Sequence, residues 1–310
     1  MTLTSDAPKR WTRRRLLATG LGGVAALVGA GVTGVELITH GVVPGKQALA
    51  ELEGACSVTA PLLRFTGTGL SRSGSFYSAA RHGEVGYTIA WPPGHPLGSP
   101  LPLIVMLHGY GANHSNALSG MTPVQAVALE VYGRPLPPMA MVTVDGGGGY
   151  WNPHPGDDPM AMVMSELIPM CQGLNLGRSP MRIGTMGISM GGYGALLFAE
   201  KYPELIRAVA AISPAIWTTY DQARAANPGA YASASAFASA DVVTHAAELS
   251  GTAVRVASGN DDPFHPGVLS LVERLPRGAT VDLSKGCHTD PFFLSQELPS
   301  LVFLGLHLSL

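Results

Sequence analysis

Residues 182–203, RIGTMGISMGGYGALLFAEKYP, decide how the chain folds. The run ending at Gly187 is apolar and of strand length, and the run from Met190 onward reads as a helix, so Ser189 stands where a strand hands over to a helix. Small residues at Gly187 and Gly191 let the chain bend sharply there and lift the seryl oxygen above the sheet edge. The helix N-terminus that follows favours negative charge developing nearby. G-x-S-x-G alone is a weak signal in a chain with 39 glycines. The strand before it and the helix after it make Ser189 a candidate nucleophile rather than the polar residue of a tight turn.

The same alternation extends outward in both directions. EVGYTIAWPPG (84–94) reads as a strand stopped by a Pro-Pro-Gly turn, after a Gly/Ser-rich stretch at 66–78. LPLIVMLHGYG (101–111) and PPMAMVTVDGGGG (137–149) are apolar strands that stop at glycines, with a helix expected over 121–133 between them. A helix starts at Asp158 with Pro159 in its first turn. RAVAAISP, TAVRVASG and ATVDLSKG continue as strands, and residues 290–308 close the chain as an amphipathic helix. Uninterrupted apolar strands separated by helices indicate a parallel sheet buried on both faces. The expected architecture is therefore a doubly wound, mostly parallel α/β sheet with helices on both faces. Residues 214–250, rich in Ala and Ser, interrupt the alternation and read equally as a lid or as a surface excursion.

A serine hydroxyl needs a base, and the base needs an acid to hold it. In such a sheet these partners follow the serine at the C-terminal ends of later strands. VASGNDDPFHPG supplies Asp261 and Asp262, and DLSKGCHTDPFF supplies His288; His265 is a rival base but sits in the acid's own loop. Neighbouring residues of an extended loop point in opposite directions, so only one aspartate faces His288. Asp261 is expected to cap the turn with its side chain, which leaves Asp262 to face His288. For an oxyanion hole, Met190 offers the N–H after the nucleophile and Tyr110 a second, with Gly109 in MLHGYGAN allowing close approach. Tyr150, Trp151 and Trp217 are candidate walls of an apolar acyl pocket. DGGGGYWNPHPGDD lacks the Gly-Lys-Ser/Thr of a phosphate loop and reads as a flexible wall of the site. For His154, Asp157 and Asp158 a substrate-loop or helix-cap role outweighs metal binding, and neither CxxC nor HExxH is present, so no metal or other cofactor is expected.

With 46% hydrophobic residues among 310, the chain can bury a large core. Five of its 19 basic residues lie in the first fifteen positions, which leaves 14 basic against 20 acidic in the remainder and argues against nucleic acid as a partner. TRRRLLATG places Arg13 and Arg14 before an uncharged run from Leu16 to Val35, the pattern of a twin-arginine export signal. The run is just long enough to span a bilayer, so a retained membrane anchor is favoured over cleavage near Ala48-Leu49-Ala50. The expected organisation is thus an export signal or anchor with its linker over 1–50 and a catalytic domain over 51–310. Export to the cell envelope would expose Cys56, Cys171 and Cys287 to oxidation, giving one disulfide of open connectivity and one thiol left over.

Taken together and in this order, LHGYG, VDGGGGYW, GISMGGYGAL, GNDDPF and GCHTDPFF resemble the esterase D family, which includes S-formylglutathione hydrolases and antigen 85 type mycolyltransferases. The resemblance covers roughly residues 75–305. It implies an α/β-hydrolase without cofactor that acts on acyl esters, lipid or glycolipid among them, through Ser189, an aspartate directly before Pro263-Phe264, which is Asp262, and His288. An acyltransferase that hands the acyl group to a sugar hydroxyl uses the same residues. A catalytically inactive envelope-binding protein on this fold is the reading from outside the enzymes.

Overall fold

The structure is a computed structural model that describes residues 50–51, 54–180 and 182–309. The expected export segment with its apolar run 16–35 lies outside them. By its internal contacts the chain divides into Met1–Leu52 and Glu53–Leu310, and the second unit carries the fold. Among the described residues no helix is long and apolar enough to cross a membrane.

An eight-stranded sheet runs in the order β1-β2-β6-β3-β7-β8-β9-β10. Its strands are β1 (Leu70–Ser78), β2 (Gly83–Trp91), β3 (Leu103–Leu107), β6 (Ala140–Val144), β7 (Ile183–Ile188), β8 (Ile206–Ile212), β9 (Ala253–Gly259) and β10 (Thr280–Ser284). β1 and β2 pair antiparallel, β2 joins β6 antiparallel, and all pairs from β6 to β10 are parallel. Every residue of β3, β6 and β7 is buried, as expected of strands covered on both faces. Alternation along β3 separates the two layers. Val105 and Leu107 join the core under helix α4 (Met190–Lys201), and Ile104 and Met106 join the core under α8 (Asp290–Leu308).

The chain leaves β3 for β6 on one side and returns to β7 on the other. The C-terminal ends of β3 and β7, level at Leu107 and Gly187, therefore flank a switch point, the place where open α/β sheets bind ligands. β8 ends at Ile212 opposite Ile188, and β9 and β10 end together two residues further on, at Gly259 and Ser284. Residues 108–110, 189, 260–262 and 285–288 are thereby delivered to one edge.

Two elements differ from expectation. The helix expected over 121–133 is a single turn, α1 (Pro123–Ala126), after which β4 (Glu130–Val131) and β5 (Arg134–Pro135) form a two-stranded hairpin. The capping box of Thr122 and Gln125 starts the helix, but three prolines at 135, 137 and 138 and Gly133 at positive φ suit a turn instead. The Gly/Ser-rich stretch 66–78 contains β1, an edge strand whose side chains are mostly exposed and which therefore shows no apolar alternation. The helix beginning at Asp158 forms as α2 (Pro159–Ala161) and α3 (Ile168–Gly173), joined by a π-helical turn over Met162–Leu167 just before Pro169. Within 214–250 lie α5 (Tyr220–Ala226), α6 (Ala234–Ser239) and a 3₁₀ turn (Ala246–Gly251). Tyr231 fastens this segment to the body among the rings of Tyr150, Tyr193 and Phe237, and the Tyr193 hydroxyl donates to the Ala240 carbonyl at 2.6 Å. The last helix of the domain before the closing one is α7 (His265–Val272).

Candidate active site

Ser189 occupies the turn between β7 and α4 with φ 57° and ψ −119°, a conformation that a non-glycine residue keeps only when its surroundings hold it there. The surroundings do so from three sides. Its N–H donates to the Ile212 carbonyl, and its own carbonyl accepts from Tyr193 and Ala215. The glycines on either side are required by contact: a Cβ on Gly187 would stand 2.1 Å from the Gly191 carbonyl oxygen, and one on Gly191 would stand 1.9 Å from that of Leu107.

The Ser189 hydroxyl lies 2.8 Å from His288 Nε2, and His288 Nδ1 lies 2.8 Å from Asp262 Oδ2. A carboxylate only accepts, so Nδ1 carries the proton and Nε2 is left to accept from the serine. Asp262 is fully buried, whereas the imidazole keeps 18% of its side-chain surface, so the acid is shielded while the base reaches the cavity. Phe264 and Phe293 set their rings edge-on to the imidazole at 5.2 and 5.0 Å. The aspartate chosen from the sequence is thus the one on His288, but its neighbour does not cap the turn. Asp262 Oδ1 itself accepts the Phe264 N–H at 2.8 Å, and Asp261 contributes its backbone N–H to the Gly286 carbonyl. His265 turns away, with its Nδ1 3.4 Å from Ser258 Oγ.

On the other side of the serine, His108 braces the HGYG loop. Its Nε2 accepts the Gly146 N–H at 2.9 Å, so Nδ1 is the protonated nitrogen and donates to the Gly109 carbonyl at 2.7 Å. Burial pushes the pKa of this imidazole down, in keeping with a neutral ring that ties two loops together. Gly109 lies against Ser189: a Cβ there would be 3.7 Å from that of the serine. Tyr110 follows it with its side chain exposed. A cavity of about 520 Å³ opens at Ser189 and His288, walled by Gly109, Tyr110, Leu118, Ser119, Asp290 and Phe293 among others.

Comparison with known proteins fits this geometry. The family model described as "Putative esterase" matches residues 78–270, well over half of the chain. The chain belongs to the esterase family. It is a carboxylic ester hydrolase by that membership. No curated protein sequence matches it. Solved structures that share its fold include a ferulic acid esterase, 17% identical over 79% of this chain and 100% of that one, with a TM-score of 0.62. An S-formylglutathione hydrolase from Agrobacterium tumefaciens is 16% identical over 81% and 99%, with a TM-score of 0.60. The fluorophosphonate-binding serine hydrolase FphF of Staphylococcus aureus is 14% identical over 77% and 99%, also at 0.60.

The aromatic wall expected for this esterase's pocket is elsewhere. Trp151 is fully buried beneath the site, its indole against His108 and Phe198 and its Nε1 donating to the His108 carbonyl. Gly194 makes room for that indole, since a Cβ there would be 2.6 Å from its Cδ1. Tyr150 is 4% exposed and accepts from Trp217 Nε1 at 3.0 Å, and Trp217 lines a separate, smaller cavity with Asp241 and Arg274. Tyr150 and Trp151 follow a strand end, as pocket residues do, but large rings gain most from full burial and here they join the core, with half-buried Trp217 packed against it. In the glycine-rich loop, Asp158 caps α2 through the Ala161 N–H, Asp157 pairs with Arg81 at 2.6 Å and His154 Nε2 lies 2.9 Å from the Gly149 carbonyl oxygen.

Sequence reasoning missed Ser119, Asp290 and Phe293 as cavity walls. Asp290 and Phe293 belong to the first turn of the closing helix, whose pattern marks a helix start and not a cavity wall, and nothing in the sequence around Ser119 marks it. The cysteines are resolved: Cys56 bonds Cys287, and Cys171 is a buried thiol whose pKa burial pushes up to about 12.

Proposed function

We propose that the chain is an exported serine esterase working through an acyl-enzyme. The observation that carries the reading is the continuous hydrogen-bond chain from Ser189 Oγ through His288 to buried Asp262. His288 Nε2 takes the hydroxyl proton as Ser189 Oγ attacks the ester carbonyl carbon. The carbonyl oxygen becomes an oxyanion that accepts the backbone N–H groups of Tyr110 and Met190; as the first residue of α4, Met190 has no acceptor within its own helix. His288 then gives its proton to the leaving alkoxide, and the C–O bond breaks to leave the acyl group on Ser189. Water, deprotonated by the same imidazole, releases the acid and restores the hydroxyl.

Export is supported by the Arg13-Arg14 pattern and by the Cys56–Cys287 bond, since disulfides persist in oxidising compartments. Replacing both arginines with lysine should keep the protein out of the envelope fraction; undiminished delivery would remove the twin-arginine reading. For the chemistry, a fluorophosphonate probe should label the wild type and not Ser189→Ala, whose turnover of p-nitrophenyl butyrate should fall by about 10⁶. Equal labelling of both proteins would move the nucleophile to another residue, and a wild type that neither labels nor turns over ester would favour an inactive binding scaffold. Running an acyl-ester panel with and without trehalose separates water from a sugar hydroxyl as acceptor: a trehalose ester among the products would make the enzyme an acyltransferase.

A further inference from the structure

One wall of the cavity at Ser189 is polar, and the hydrolytic steps leave it unused. Asp290 lies two residues beyond His288, in the first turn of α8, and its Oδ1 accepts the Ser119 hydroxyl at 2.8 Å. An aspartate at a helix start suits the helix dipole wherever it points. That preference does not explain why this one is held to a serine 171 residues away in sequence, on the cavity wall. Ser119 is itself fixed from below, for its N–H donates to Glu297 Oε1 two turns further along α8. The pair is thus braced by one helix at two points. Asp290 is exposed to the cavity mouth, and among the described residues no lysine or arginine forms an ion pair with it. Its second oxygen can accept a further hydrogen bond, and so can the Ser119 oxygen.

The side of the cavity matters as well. His288 must protonate the leaving alkoxide, so the alcohol departs on the side of the imidazole, from which α8 with Asp290 and Phe293 continues. We propose that Asp290, positioned by Ser119, determines specificity for the alcohol part of the ester, favouring alcohols that carry ammonium or hydroxyl donors and rejecting those that carry a carboxylate. This rests on the reading of Ser189 and His288 as nucleophile and base. Phe293 gives the same alcohol an apolar face, so a donor group on a short hydrophobic spacer fits both features.

Three butyrate esters of one shape test this: those of 4-(aminomethyl)benzyl, 4-methylbenzyl and 4-carboxybenzyl alcohol. At low salt the wild type should prefer the ammonium ester to the carboxylate ester by roughly tenfold in kcat/KM, the size of effect expected from one charge near a solvent-screened site. The ratio should shrink in 0.5 M NaCl. Asp290→Asn should bring the ratio to within about twofold, and Asp290→Glu should restore most of it. A wild-type ratio near one, or one that survives Asp290→Asn, overturns the proposal. So does equal loss on all three esters with the ratio intact, because that marks a purely structural aspartate. Hydrolysis of p-nitrophenyl butyrate by the wild type is measured alongside: if it is absent, the serine esterase reading itself fails, whereas if it is present and the ratio is flat, only the role of Asp290 fails.

Discussion

The turn that presents Ser189 and the loop that presents His288 serve one site but are held by different means. The serine turn is fixed locally: its glycines pack against β3 and against each other within five residues, and its backbone bonds reach the end of β8 and the first turn of α4. The histidine loop, residues 285–289 between β10 and α8, has an edge strand behind it, and β10 is mostly half-exposed. Its anchors come from far away. Cys287 is bonded to Cys56, 231 residues earlier, and the Gly286 carbonyl receives the Asp261 N–H. A turn buried at the centre of a sheet is constrained by close packing on every side, whereas a loop at the sheet's edge must import its constraint.

The largest effect should come from attacking the local fixation. Gly191→Ala places a methyl group where the Leu107 carbonyl already sits, and neither strand nor helix can retreat without opening the core. We expect little soluble protein, and none that a fluorophosphonate labels; well-folded, labelled Gly191→Ala would show that the turn is less constrained than its contacts imply. Next in size is the acid. Asp262→Asn should fold but lose about 10⁴ in turnover, because an amide cannot hold the imidazole in the tautomer that accepts from Ser189. Asp261→Asn, which leaves both bonds of Asp262 in place, should stay within threefold of the wild type by the same steady-state assay. The reverse ranking would transfer the role to Asp261.

The same contrast explains what could be read from the sequence. What is most local was most legible: the glycine pattern around Ser189 and the apolar strands carry their reason within a few residues, whereas the choice of Asp262 leans on the family resemblance as well. The sheet could be read from buried strands, yet β1 could not, since an edge strand facing water has no apolar pattern to show. The helix expected over 121–133 failed because apolar spacing outweighed Gly133 and the prolines at 135, 137 and 138, which suit the hairpin that follows a single helical turn. Trp151 and Tyr150 misled because position after a strand does not tell whether a ring faces the cavity or the core beneath it. The Cys56–Cys287 bond and the Ser119–Asp290 contact join residues more than 170 positions apart, and nothing local encodes such pairings.

A milder perturbation severs the imported constraint. Removing a disulfide that closes so long a loop should cost about 2–5 kcal/mol of stability. In Cys56→Ser/Cys287→Ser, hydrogen exchange should quicken across residues 285–290 and stay slow across 187–193, and turnover should fall by about tenfold or less. Uniform acceleration across both segments would mean that the bond supports the domain as a whole and that the contrast drawn between the two segments is wrong.

The smallest effect lies in the helices behind each segment, each of which buries one glutamate. Glu200 on α4 is 4% exposed, and neither carboxyl oxygen has a hydrogen-bond partner; burial chiefly, with Asp241 and Glu248 adding and Lys201 opposing, pushes its pKa up to about 9. Glu297 on α8 is fully buried, and burial pushes it up to about 8, the Ser119 N–H opposing and Asp290 adding. Both acids are therefore protonated in the folded protein near neutral pH and ionised in the unfolded chain, where carboxyl groups titrate near 4.5. The folded state binds more protons than the unfolded one between those values, so stability falls as pH rises from about 4.5, until about 8 for Glu297 and about 9 for Glu200. Gln mimics the protonated acid at every pH. Melting temperatures should accordingly match the wild type at pH 4.5 and exceed it by several degrees at pH 9 in Glu200→Gln and in Glu297→Gln. Amide exchange in the wild type should rise around Ser119 and the start of α8 as Glu297 ionises and along α4 as Glu200 ionises, and Glu297→Gln should remove the first rise and leave the second. A rise around α8 that survives Glu297→Gln would show that this glutamate is not what loosens the histidine side of the site.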